Sequence, residues 1–107
     1  MKNLGNLMKQ AKAMQERMEQ AQAELETLEV EGESAAGMVR VTLTAKGRMR
    51  GIRIDPTLID PQDPEVLEDL ITAAHNDARI KADAATQEKM GELTGGLELP
   101  PGMKLPF

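Results

Sequence analysis

Apolar positions near the start of the chain recur with helical spacing. Leu4, Leu7, Ala11, Met14, Met18, Ala21, Leu25 and Leu28 are separated alternately by three and four residues, the a/d pattern of a coiled-coil seam. The pattern predicts a helix over residues 2–28. From Asn3 to Leu28 it would be roughly 38 Å long. A domain of this size has a radius of gyration of only about 13 Å. Such a helix projects beyond its own domain. Its seam therefore needs a second helix, from this chain or from another copy of it.

The periodicity then changes to alternation over residues 28–54. Leu28 to Glu33, Met38 to Thr44 and Arg50 to Ile54 read as three short antiparallel strands. Ala35-Ala36 and Lys46-Gly47 fit as two-residue hairpin loops. These loops set Val30 opposite Val41, Val41 opposite Ile52, Val39 opposite Ile54, Glu31 opposite Arg40, and Arg40 opposite Arg53. In that register every apolar residue of the set falls on one face.

Prolines 56, 61 and 64 interrupt the alternation. Asp63-Pro64-Glu65 then starts a helix, with Asp at the N-cap and Pro at the first helical position. The second helix is expected over residues 64–90, burying Leu67, Leu70, Ile71, Ala74, Ala78, Ala82 and Ala85. Residues 91–107 form an apolar tail that contains Gly and Pro. The whole is one α+β domain, 1–107: an α-β-β-β-α subunit whose two long helices flank a three-stranded antiparallel sheet.

Composition narrows the chemistry. The chain has 107 residues, no Cys, no Trp, no Tyr, one Phe and one His. Cysteine-based zinc sites, iron–sulfur clusters, disulfides and thiol catalysis are excluded. Single-strand and RNA modules stack bases on aromatic platforms, which this chain lacks. No apolar run reaches the length of about 18 residues read as a membrane helix. The start of the chain does not open onto a signal-peptide core. The expectation is a soluble cytoplasmic protein without a membrane partner.

The formal net charge of −5 conceals segregated blocks. Residues 1–15 hold Lys2, Lys9 and Lys12 and no acid, and residues 35–54 hold Arg40, Lys46, Arg48, Arg50 and Arg53 and no acid. Acid-free basic segments create local positive potential on an acidic protein. Lys9 and Lys12 fall on the outer side of the first helix, away from its seam. Arg79, Lys81 and Lys89 occupy the distal half of the second. Arg48, Arg50 and Arg53 form a second basic patch on the sheet. These residues suit phosphate contact, against the simpler reading of solvated helix faces.

No enzyme constellation is present. His75 stands mid-helix with no nucleophile motif around it. The glycines form no phosphate-cradling loop. Asp55, Asp60 and Asp63 lack calcium-loop spacing and read as turn and cap residues. No cofactor, metal or small-molecule substrate is expected.

Taken in order, several segments resemble the YbaB/EbfC nucleoid-associated DNA-binding proteins of bacteria. They are Leu4-Gly5-Asn6-Leu7-Met8-Lys9-Gln10-Ala11, Gly32 through Val41, Ile54-Asp55-Pro56-Thr57-Leu58, Leu67-Glu68-Asp69-Leu70-Ile71, Ala74-His75-Asn76-Asp77-Ala78, and Leu99 through Phe107. The resemblance implies a tweezer-like homodimer whose sheets meet at its centre. It implies duplex-DNA binding with loose sequence preference, altered DNA conformation, and roles in nucleoid organisation and gene regulation. In that picture Lys9, Lys12, Arg17, Arg79, Lys81 and Lys89 contact phosphates, which positions DNA without reading bases. An acidic coiled-coil interaction module, an adaptor or chaperone-like clamp, is the alternative class.

Overall fold

The structure, a computed structural model, describes residues 2–94, with side chains described for residues 3–93. The elements run α1 (Lys2–Thr27), β1 (Glu29–Ser34), a 3-10 turn (Ala35–Gly37), β2 (Val39–Thr44), β3 (Met49–Ile54), a second 3-10 turn (Pro56–Leu58) and α2 (Pro64–Thr94). This is the α-β-β-β-α order expected from the sequence. The last helix passes through Gly91 and continues four residues beyond the expected end. Of the expected apolar tail, residues 95–107 lie outside the described residues, as does the side chain of Lys2.

The sheet is antiparallel in the order β1-β2-β3. Its β2–β3 register matches expectation, with Val39 opposite Ile54, Arg40 opposite Arg53, and Val41 opposite Ile52. The β1–β2 register differs by two residues. Val30 faces Leu43, Gly32 faces Val41, and Glu31 faces Thr42. Four residues, not two, connect Ser34 to its partner Val39. The reason is the backbone of the connection: Ala35, Ala36 and Gly37 have φ of 52, 56 and 89°. A shift of two preserves side-chain direction, so the apolar face survives the error.

The second hairpin also departs from a two-residue loop. The Gly47 N–H donates to Thr44 C=O at 2.8 Å, and the Thr44 N–H donates to Arg48 C=O at 2.7 Å. Ala45 and Lys46 are the central residues of this turn, and Gly47 follows at φ 92°, the three-residue hairpin geometry. A bulge between Thr42 and Leu43 restores the expected pairing further along.

Two apolar clusters result. Val39, Val41 and Leu43 of β2 are fully buried against Ala74 and Ala78 of α2, with Leu67, Leu70 and Ile71 packed around them. The second cluster joins Ala21 and Leu25 of α1 to Ala45 and Met90, with Met18, Ala85 and Leu93 at its margin. Met18, Ala21 and Leu25 of the heptad seam thus pack on α2, while Leu28 at its end is 45% exposed. The upper half of the seam does not pack there, since Leu4 and Leu7 are 62% and 59% exposed. The Cα radius of gyration, 19.9 Å, reflects this projection.

The two edges of the sheet differ. On the free edge of β1, the Glu33 N–H donates to Asp77 Oδ2 at 3.0 Å. Lys81 Nζ donates to Glu31 C=O at 3.0 Å. Asp77 and Lys81, one helical turn apart, are themselves paired at 3.2 Å. This pair of α2 side chains occupies backbone groups that would otherwise recruit another strand. At the other edge, β3 is exposed along nearly its whole length, including Met49 and Ile52.

Candidate nucleic-acid interface

The basic side chains divide by whether they already hold a carboxylate. Arg40 pairs with Glu31 at 3.1 Å, Arg50 with Glu29 at 3.6 Å, and Lys46 with Glu26 at 4.0 Å. Arg79 pairs with Asp83 at 3.3 Å. Lys89 bridges Glu24 of α1 and Glu92 of its own helix. Its hydrogen bond to Glu24 holds its ammonium above the ordinary lysine range, with burial opposing. Within the described residues, Lys9, Lys12, Arg17, Arg48 and Arg53 form no ion pair.

The six expected phosphate contacts therefore fall into two classes. Lys9, Lys12 and Arg17 on α1 are uncommitted. Arg79, Lys81 and Lys89 on α2 are each engaged, and Lys81 has the structural task of covering the β1 edge. Arg17 and Lys89 come together, lining one groove with Gln20, Glu24, Glu92 and Leu93. Lys9 and Lys12 lie farther out on α1, beside an apolar patch with Met8, Ala11 and Gln15. Glu24 and Glu92 compensate the Arg17–Lys89 groove, whereas no acid precedes Glu16 in the segment that holds Lys9 and Lys12, and neither lysine is paired with it.

The sheet patch divides likewise. Arg50 is tied to Glu29, while Arg48 and Arg53 are unpaired. Arg53 stands opposite Arg40 on neighbouring strands, a like-charge pair that Glu31 offsets through Arg40. Sequence reasoning missed that Arg79 reaches this region. A Cβ placed on Gly47 would lie 2.5 Å from Arg79 Nη1, so the guanidinium covers the β2–β3 turn between Lys46 and Arg48. No sequence spacing signals that contact.

The carboxylates around Pro56 and Pro61 act as turn residues. Asp55 Oδ1 accepts from the Thr57 hydroxyl at 2.7 Å and from the Thr57 N–H at 2.9 Å. Those two bonds, the hydroxyl first, hold its carboxyl below the ordinary range. Asp60 accepts from the Gln62 N–H at 2.9 Å. Among the described residues no group of three or more His, Cys, Asp or Glu is arranged to hold a metal, and no helix is long and apolar enough to cross a membrane.

Relatives supply the context for these cations. A nucleoid-associated protein of Rhodospirillum rubrum is 59% identical over 107 residues, covering both chains completely. Similar proteins of Maricaulis maris and Paramagnetospirillum magneticum, also named nucleoid-associated, are 58% and 60% identical over the same full lengths. An uncharacterised Helicobacter pylori protein of known crystal structure shares the fold, with a TM-score of 0.62 and 23% identity over 91% of this chain and 95% of its own. The sequence pattern of the YbaB/EbfC DNA-binding family matches residues 1–97, and the chain belongs to that family.

Proposed function

We propose that this protein binds duplex DNA as a homodimer, through phosphates, with loose sequence preference. In this reading it is a non-catalytic, nucleoid-associated protein of the cytoplasm. It alters DNA conformation and contributes to nucleoid organisation and gene regulation. It uses no cofactor or small-molecule substrate. Family membership over residues 1–97 is the observation that carries the assignment to DNA. The unpaired Lys9, Lys12 and Arg17 on a projecting helix are the groups best suited to reach phosphate, with Arg48 and Arg53 as a second set. Arg79, Lys81 and Lys89 contribute to the field more than to direct contact, because each already holds a carboxylate.

The dimer is supported by the asymmetry of the sheet edges. One edge is covered by Asp77 and Lys81, and the other leaves β3 with Ile52 43% exposed. Titration against duplex DNA at two salt concentrations tests the reading. Retention that falls steeply with salt supports it. Indifference to DNA, with recovery of a specific protein partner, supports the interaction-module alternative, for which the exposed Leu4, Leu7 and Met8 speak.

A further inference from the structure

Met8 is 67% exposed, more than either Leu4 or Leu7. It stands one position off the apolar seam of α1, on the side toward Lys12, one helical turn further on. Met8, Lys9, Ala11, Lys12 and Gln15 line one open, chiefly apolar surface. Helical spacing puts Lys12 and then Lys9 on the same side of Met8. Neither ammonium forms an ion pair among the described residues. The surface ends at Gln15, because Glu16 and Glu19 begin an acidic block.

An exposed apolar side chain beside two unpaired cations suits a ligand that is polyanionic and also carries apolar groups. Duplex DNA, the proposed ligand, has both. An α-helix with its side chains is about 10–12 Å across. The major groove, about 12 Å wide, admits it, and the minor groove, about 6 Å wide, does not. In the major groove the phosphates form the rims and the base edges form the floor. Lys9 and Lys12 then reach the phosphates of one strand while Met8 faces the floor. Met8 donates no hydrogen bond there, and its thioether accepts only weakly. The apolar group that base pairs present in this groove is the C5-methyl of thymine. An unbranched, polarizable thioether adapts to a methyl group whose position changes with sequence.

We propose that Met8 packs its thioether against thymine C5-methyl groups in the major groove and so biases binding toward A·T pairs. The inference rests on the DNA reading and adds a base contact to it, since phosphate contacts alone carry no sequence information.

The test uses the full chain and duplexes that differ only in methyl groups. Replacing thymine by uracil removes the C5-methyl and leaves the hydrogen-bonding groups in place. Burying one such group changes affinity about fourfold. The thymine duplex should therefore bind about four times more tightly for each methyl engaged. Replacing cytosine by 5-methylcytosine in a G·C duplex supplies a methyl at the same ring position and should tighten binding by a similar factor. Met8→Ala, at an exposed helical position, should bind the thymine and uracil duplexes alike while keeping the salt slope of the parent. Equal affinity of the parent for the two duplexes would overturn the proposal, and a steep salt dependence in the same titration would leave the DNA reading standing. Discrimination that persists in Met8→Ala would also overturn it, because another residue would then sense the methyl. A parent that ignores every duplex would overturn both readings.

Discussion

Gly32 on β1 lies against the backbone of Ala78 on α2, with no side chain between them. A Cβ built at Gly32 would overlap Ala78 N and Ala74 C=O and fall 2.6 Å from Ala78 Cα. The contact explains the Ala steps at 74, 78 and 82, all buried. They let the helix settle on the strand, and Gly32 removes the last obstacle. Relief would require α2 to lift from the sheet. Gly32→Ala should therefore destabilise by about 3 kcal/mol, the upper part of the overpacking range. A lowered urea midpoint with unchanged slope is the expected result. A neutral result would mean that α2 shifts freely on β1.

The first hairpin makes the opposite prediction. Ala36 has φ 56 and ψ 36°, in the left-handed region. An L side chain there costs roughly 1–2 kcal/mol that glycine avoids. Ala36→Gly should stabilise by about 1 kcal/mol, once glycine's extra unfolded-state entropy is set against the relief. Thermal denaturation of this variant beside the parent decides the sign.

These two sites also mark where sequence reasoning succeeded and where it stopped. Alternation in Val39-Arg40-Val41 and in Ile52-Arg53-Ile54 identified the buried direction, because side-chain direction follows residue parity alone. The β1–β2 register depends instead on the dihedral angles of Ala35 and Ala36, and nothing in an Ala-Ala pair announces a left-handed turn. The basic residues behave likewise. Arg79–Asp83 and Lys81–Asp77 are four residues apart on one helix and legible as pairs. Lys89–Glu24 joins two helices, and Lys81 to Glu31 C=O joins helix to strand. Such partners become visible only once the chain is folded. The heptad pattern predicted α1 correctly, yet could not say which half of its seam α2 would cover.

The covered edge of β1 gives a pH dependence. The Glu33 N–H, and after it Lys81, hold the Asp77 carboxyl below its ordinary value of 3.8. A depressed folded-state pKa stabilises the fold above the unfolded value, and that contribution is lost as pH falls through the folded value. Stability should therefore decline below about pH 4 through Asp77. Asp55 is lowered in the same direction and adds to the decline. Asp77→Asn keeps an oxygen for the Glu33 N–H but does not titrate, so its urea midpoint should fall less steeply in acid. An identical acid profile would show that the edge contact contributes nothing to folding.

The open edge predicts assembly. Ile52 follows the buried direction of Val41, its β2 neighbour, yet remains 43% exposed within one chain. In the proposed homodimer a partner sheet covers it. Ile52→Asp should then place an unpaired charge in an apolar contact and weaken dimerisation at least tenfold, or about 1.4 kcal/mol. Sedimentation at micromolar concentration should give a two-chain mass for the parent and a falling mass for the variant. A parent with the mass of one chain would end the dimer proposal.

Lys9 and Lys12 provide the decisive test of the DNA contact. Both are exposed, neither holds a carboxylate, and no acid precedes Glu16. If a dimer neutralises about six phosphates, log K should fall with log salt at a slope near −5. Changing both lysines to Ala removes two cations per protomer and should flatten that slope by about 2 for each protomer engaged. Binding should weaken for all duplex sequences alike, because phosphate contacts carry no base information. Stability should move by no more than about 0.5 kcal/mol, since neither side chain is packed. Lys89→Ala makes the contrast. Its ammonium is tied to Glu24, so it should cost stability while leaving the salt slope nearly unchanged. If the slope instead persists in the Lys9 and Lys12 double variant, these lysines are a solvated helix face. The contact would then lie on the sheet patch, where the unpaired Arg48 and Arg53 should flatten the slope and Arg50, held by Glu29, should do so least.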